Sequence, residues 1–415
     1  MLRAFPIIFF ALLVLFATSC RQQPPEPDPG YFVIELPDPE PEPEEELYIL
    51  PEEPEEEEPV IVQIQPDILN RFMPALDYRN YLMEGGRFEL PAVGATGFTA
   101  IRLHLWSMPN HDASIVYTME PGQPFVILDE YDEWWQIEIV NSDGWLMAGW
   151  AIKRFTMINL PDVIPSIVFN NTNTLSSLFR TSGLEIPGIT GEALYYGLDF
   201  NERFGRYEFI MPILYGTAQK LMIAQQLALA DGRTLVLYEA FRPHDAHNKV
   251  YDSFRYLFDT NPDVRANIET GGYTFIRFLA PSPYNHQRGT AVDLTLGRIV
   301  RHEIRSTGDF MFLHISEYEE YQMQSPMHEL SVASAIFVVP VVSHNLDAWR
   351  AGVFRDIVTE GTRLLVDYMD KAGFTPLSAE WWHFNDIPNT DDAIWMGSVG
   401  QFNIERSYSR PPWTP

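Results

Sequence analysis

Two short stretches hold the residues whose types and spacing suggest chemistry. In "SPYNHQRGTAVDLTL", residues 282–296, His286 and Asp293 stand seven residues apart with Gly289 between them. The strand period places Val292, Leu294 and Leu296 on one face and Ala291, Asp293 and Thr295 on the other. Asp293 therefore leaves the core face, and a buried carboxylate without a partner is costly. A turn at Gly289 would bring the His286 imidazole back toward it. On this stretch alone, a hydrogen-bonded structural pair is as good a reading as a reactive one.

The second stretch shifts the balance. "AEWWHFND" supplies Glu380 and His383, three residues apart, just after a segment with helical spacing that stops at Gly373. One helical or 3₁₀ turn over 380–383 puts both side chains on one side, whereas an extended strand would point them apart, so the turn is expected. Two histidines and one carboxylate, His286, His383 and Asp293, complete the protein shell of a catalytic zinc and leave its fourth position for water. Such an ion, one per chain, lowers the pKa of that water and polarises a carbonyl. An unligated carboxylate, Glu380, can take the water's proton and hand it to a leaving amine. "YEAFRPHDAH" offers Arg242 at the end of a predicted strand, stiffened by Pro243, and a fixed guanidinium suits a developing oxyanion. The ligand set favours zinc without excluding other divalent ions.

Taken in order, "EAFRP", "HQRGTAVDLTL" and "EWWHF" resemble the zinc D-alanyl-D-alanine dipeptidases of the VanX type and, more distantly, the D,D-carboxypeptidases of the VanY type. The resemblance runs from about Asn159 onward. It implies zinc on His286, Asp293 and His383, a catalytic base at Glu380, a transition-state arginine at Arg242, and a substrate containing D-Ala-D-Ala. Two departures stand out. Tyr284 occupies a position that is commonly serine. "MQSPMHELS", residues 323–331, stands where such dipeptidases carry an acid that holds the substrate's free amine, with His328 or Glu329 near the expected place. His328 is a candidate for the substrate pocket. His244 and His247 fit surface or structural roles better than cleft roles. His104, His111, His302, His314 and His344 have no partner motif.

Stepping outward from these residues, "MPILYGTAQKLMIAQQLALADG" has apolar residues at helical spacing and ends at Gly232, followed by "RTLVLYEAF" as a buried strand. With the later amphipathic helix "DIVTEGTRLLVDYMDKAGF" these make residues 159–415 an α+β domain. Residues 99–158 read differently, as short strands between turns. In "WWQIEIV", Trp135, Ile137 and Ile139 alternate with Gln136 and Glu138, the pattern of a half-buried strand. This segment resembles the small all-β barrels of bacterial SH3-like domains, which implies peptidoglycan binding. Trp134, Trp145 and Trp150 could line a groove, but filling the small core is the better reading for any one of them.

The chain starts with Arg3, an apolar run from about Phe5 to Phe16 and "ATSC", the order of an export signal and too short for a membrane span. "ATSC" resembles a bacterial lipobox, so residues 1–20 are expected to be a lipoprotein signal and Cys20 a lipid-anchored residue. Cys20 is the only cysteine, which leaves no internal disulfide to stabilise the protein. Residues 21–60 are rich in Pro and Glu, cannot bury enough apolar surface to offset ordering, and are expected to form an extended stalk, with 61–98 connecting it to the barrel. The net charge of −29 argues against a nucleic-acid partner, which would need clustered Lys and Arg. The expectation is a bacterial, extracytoplasmic, membrane-anchored zinc peptidase acting on peptidoglycan. The competing expectation is a wall-binding lipoprotein whose peptidase domain serves as an inactive scaffold.

Overall fold

A computed structural model describes residues 88–342 and 345–413. The expected signal with Cys20, the stalk, most of the connecting segment and His344 lie outside the described residues. Among the described residues, no helix is long and apolar enough to cross a membrane.

Seven strands come first: β1 (Thr96–Thr99), β2 (Leu103–Trp106), β3 (Ile115–Met119), β4 (Pro124–Tyr131), β5 (Trp134–Val140), β6 (Leu146–Ile152) and β7 (Thr156–Asn159). After them come β8 (Val168–Phe169), two small hairpins made of β9 (Arg180–Thr181) with β10 (Leu184–Glu185) and β11 (Leu198–Asn201) with β12 (Arg206–Phe209), and then β13 (Pro212–Leu214). The first sheet runs in the order β13-β7-β1-β4-β5-β6-β2-β3. Its alternation is the one expected of β5: Trp135, Ile137 and Ile139 are fully buried and the residues between them are not. Trp134 is buried as well, on the other side of the strand, with its ring 6.3 Å from Trp106 and 5.0 Å from His111. Trp150 is half-buried, whereas Trp145 is 71% exposed.

This sheet does not end at residue 158. β13 adds to its edge, antiparallel to β7, with Ile213 opposite Ile158. It also starts earlier than the sequence suggests. Leu90, Ala95 and Phe98, expected in a connecting segment, are fully buried, and β1 lies between β7 and β4. The apolar content of residues 88–98 is the reason, since Leu90 and Phe98 gain roughly 1.5–3 kcal/mol each when buried. Near the C-terminus the chain returns to this sheet, where the Arg410 amide donates to Gly94 O at 2.8 Å and the Tyr408 hydroxyl to Glu138 at 3.0 Å.

The second sheet contains β14 (Arg233–Glu239), β15 (Ala291–Thr307), β16 (Phe310–Glu320), β17 (Thr375–Pro376) and β18 (His383–Asn385). Its order is β17-β18-β15-β14-β8, with β16 also paired to β15. Leu235 and Leu237 lie opposite Leu296 and Leu294, and all four are fully buried. The helices read from the sequence are present at Tyr215–Ala230 and Glu360–Lys371. The second is capped by Thr359, whose hydroxyl accepts from the Thr362 amide at 3.3 Å, and it buries Leu365, Val366 and Met369. Both helices pack with the second sheet's strands, as an α+β layering requires.

The two sheets meet at Gly289. Its φ of +69° is a left-handed conformation that closes the short helix Asn285–Arg288 and turns the chain into β15. Its carbonyl accepts from the Leu214 amide of β13 at 2.9 Å, and a Cβ here would meet Met157 Cε at 3.0 Å and the Leu214 amide nitrogen at 3.1 Å. The edge of the first sheet therefore supports the turn that carries His286. Gly289→Ala should lower unfolding stability by about 1–2 kcal/mol from the backbone conformation alone. Urea denaturation would measure this, and an unchanged midpoint would contradict the tight packing of the turn.

Candidate metal centre and active site

Three adjacent strands bring the site together. Asp293 on β15 lies opposite Glu239 on β14 and opposite His383 on β18, so the three residues form one row across the sheet. A bulge between Leu237 and Glu239 makes this possible. Without it, Tyr238 would face Asp293; the extra residue moves Glu239 into the row, a common use of bulges beside sites. His286 reaches the same place from the Asn285–Arg288 turn. Glu380 precedes β18 in the expected turn, closed by the His383 amide donating to Glu380 O at 3.3 Å.

His286 Nε2, His383 Nδ1 and Asp293 Oδ1 converge. Their separations are 3.1 Å between the two nitrogens, 3.2 Å from His286 to Asp293 and 2.9 Å from His383 to Asp293. All three residues are buried. The outer nitrogens fix the tautomers: His286 Nδ1 donates to Ala240 O at 2.6 Å, and His383 Nε2 donates to Asn385 Oδ1 at 2.9 Å. In neutral imidazoles the inward nitrogens are then lone pairs. Two lone pairs and a carboxylate oxygen in mutual contact repel one another unless a cation lies among them. Zinc bonds of about 2.0–2.1 Å place tetrahedral ligand atoms about 3.3 Å apart, close to this triangle. The residues fit a metal.

Glu239 was not singled out from the sequence, although it stands in "YEAFRP" three residues before Arg242. It is fully buried and accepts from Arg242 Nε at 2.7 Å, from Arg242 Nη2, from Asn173 at 2.8 Å and from the Tyr195 hydroxyl at 2.9 Å. Burial would raise its pKa, but Arg242 beside it brings the net shift downward. Arg242 Nη2 also lies 3.3 Å from Asp293 Oδ2. His247 completes the clamp. Its Nε2 donates to Ala280 O at 2.8 Å, so its Nδ1 accepts from Arg242 Nη1 at 3.3 Å. Burial first, and then the Arg242 charge, push His247 down to about 3, which keeps it neutral.

Glu380 is buried, with Oε2 3.9 Å from His383 Nδ1. Burial and then the charge of Asp293 hold its carboxyl well above the ordinary range. Burial also acts to raise Asp293, but the imidazoles around it, His286 first and then His328 and His383, outweigh it and hold Asp293 well below that range. A narrow cleft opens onto Arg242, His247, Tyr284, His286, Glu380 and His383, walled by Phe179, Phe278, Leu279, Ala280 and Leu377. Arg242, His286, Glu380 and His383 thus line one cleft, and Asp293 sits directly behind it. His247, read from the sequence as surface or structural, is a buried part of the cleft wall. Its i+5 spacing from Arg242, across the start of a helix, was the available signal.

Residues 213–395 match the peptidase M15 family model, described as D-ala-D-ala dipeptidase. This part of the chain is similar to a family of peptidases. Every residue of the cleft chemistry, from Arg242 to His383, falls inside the matched range. The D-alanyl-D-alanine dipeptidase of Escherichia coli (strain K12) is 27% identical over 197 residues, covering 47% of this chain and 72% of the relative. The two matches support a hydrolase of the peptidase class, in keeping with the resemblance read from the three motifs.

Two measurements follow from this geometry. His383→Ala should abolish tight zinc binding, read as metal content after dialysis, while a folded protein that kept its zinc would argue against the triangle. Glu239→Leu leaves the Arg242 guanidinium buried without its main partner and should cost about 3–5 kcal/mol of stability in chemical denaturation.

Proposed function

We propose that this protein is an exported, lipid-anchored zinc peptidase that hydrolyses D-Ala-D-Ala type bonds in peptidoglycan metabolism, with the activity of a D-alanyl-D-alanine dipeptidase. One observation carries the reading: the convergent lone pairs of His286, His383 and Asp293 lie at the back of a cleft lined by the Glu380 carboxylate and the clamped Arg242 guanidinium. The fully ionised site has three carboxylates, Glu239, Asp293 and Glu380, against one guanidinium, a two-charge excess that a divalent cation would balance.

When bound by His286, Asp293 and His383, zinc would supply Lewis-acid polarisation of the scissile carbonyl and activation of water. Glu380 is placed to accept the proton of the attacking water and to return it to the leaving amine. Arg242 cannot swing away, because Glu239 and His247 hold its two ends, so its charge is fixed where an oxyanion develops. The apolar wall of Phe278, Leu279 and Leu377 keeps bulk water from the bond being cut and fits small, uncharged side chains.

A second reading within the same chemistry, D,D-carboxypeptidase action on muropeptide stems, is favoured by the cleft lining. Among the described residues lining it, Glu380 is the only carboxylate. Glu329, near the position expected to hold a free amine, accepts from the Gly183 amide at 3.2 Å instead. A substrate whose penultimate residue is amide-linked brings no ammonium that would need such a partner. The signal ending at Cys20, the stalk and an SH3-like reading of residues 99–158 support placement at the bacterial cell wall, with the first sheet binding peptidoglycan.

Incubating the zinc-loaded protein separately with free D-Ala-D-Ala and with a muropeptide ending in D-Ala-D-Ala, followed by mass spectrometry, tests both readings. Cleavage of the dipeptide supports the dipeptidase, release of D-Ala from the muropeptide supports the carboxypeptidase, and no product from either substrate favours the inactive scaffold. Glu380→Gln should keep zinc bound and lower kcat by roughly 10²–10⁴-fold. Unchanged turnover in that variant would sink the proposed proton transfer.

A further inference from the structure

We propose that His328 is a positioning residue that locks the carboxylate of Asp293 so that only Oδ1 is presented to the metal. This rests on the reading of His286, Asp293 and His383 as a metal site. The two oxygens of Asp293 face different neighbours. Oδ1 meets His286 and His383, while Oδ2 lies 3.3 Å from Arg242 Nη2 and 3.3 Å from His328 Nε2. His328 is fully buried, and among the described residues neither ring nitrogen has a hydrogen bond of ordinary geometry; the charged group within reach of Nε2 is Asp293 Oδ2. A buried N–H without an acceptor costs about 1–3 kcal/mol, so a small rotation that directs Nε2–H onto Asp293 Oδ2, 3.3 Å away, is favoured.

The backbone around His328 is built to hold that ring. Its φ of +60° lies in the left-handed region, where a non-glycine residue costs about 1–2 kcal/mol. Such strain persists only where the surroundings over-determine the conformation. Here its carbonyl accepts from the Arg180 amide at 3.1 Å, and the Leu330 amide donates back to Arg180 O at 2.7 Å. The imidazole stacks on Phe179 at 4.2 Å and 11° and meets Trp382 edge-on at 5.8 Å. Phe179 lines the cleft and His328 does not, so the ring sits behind the wall and aims at the ligand rather than at substrate.

Glu239, Asp293 and His328 could by themselves hold a second cation. Arg242 already bonds both carboxylates of that group, so a guanidinium takes the cation's place there. The role left to His328 is to share Oδ2 with Arg242. Outer partners of this kind orient metal ligands, and losing one typically lowers metal affinity by about 10–100-fold.

The test is zinc affinity by competition with a chromophoric chelator on the intact protein, with folding checked by circular dichroism. His328→Phe keeps the stack on Phe179 and removes the N–H, and His328→Gln returns an N–H donor. The expected result is a loss of about 10–100-fold in affinity for His328→Phe and recovery toward the parent value for His328→Gln. If His328→Phe does not fold, His328→Met replaces it as the variant that fills the space without a donor. Parent-like affinity in the folded donor-free variant would overturn the proposal, as would two zinc ions per parent chain. His286→Ala is measured alongside. If it too binds zinc normally, the metal-site reading itself fails, whereas loss in His286→Ala with none in the donor-free variant defeats the role of His328 alone.

Discussion

Three acceptor atoms held against one another in a buried space are the constraint around which this structure is arranged. His286 Nε2, His383 Nδ1 and Asp293 Oδ1 lie within 3.2 Å of each other, and nothing in their own chemistry keeps them there. The opposing groups do: Ala240 O and Asn385 take the outward N–H groups, and Arg242 takes the far oxygen of Asp293. Each of these is fixed in turn, Asn385 by its place on β18 and Arg242 by Glu239 and His247. Layers of directed hydrogen bonds thus oppose a repulsion at the centre, the usual condition for a pre-organised cation site.

The same arrangement explains why the sheet is irregular where it matters. A regular β14 would place Tyr238 beside Asp293, and a phenol cannot neutralise a guanidinium. The bulge substitutes Glu239 at the cost of one broken register, and the charge pair that results sets the direction of Arg242. Burial of a salt bridge gives little net stability, but removing one partner is expensive, so the pair acts chiefly to define geometry.

Much of the site was legible in the primary structure because its spacing encodes it. A strand period singled out Asp293, a glycine turn returned His286, and a three-residue interval joined Glu380 to His383. The helix at 360–371 was readable from its periodicity and its stop, and the one at 215–230 from its long apolar run and the glycine after it. Glu239 escaped because a bulge defeats simple alternation, and three residues before an arginine at a strand end reads as ordinary strand polarity. His247 was ranked as surface or structural rather than as a cleft residue because its neighbours, the Arg242 guanidinium and Ala280 O, come from a helix start and from elsewhere in the chain. The extent of the first sheet was also hidden. β13 is three residues long, and only its pairing partner, more than fifty residues upstream at β7, identifies it as an edge strand rather than a helix lead-in.

That short strand has a consequence for how such proteins can be assembled from parts. The family match begins at residue 213, inside β13, so the border suggested by homology cuts through hydrogen bonds of a continuous sheet. Recombination at that border would separate β13 from β7 and remove Met157 from beside Gly289, while the Leu214 amide that meets the Gly289 carbonyl would stay. The upstream sheet is consequently tied to the matched region, and a graft that exchanges it for another module has to carry the β7 edge along.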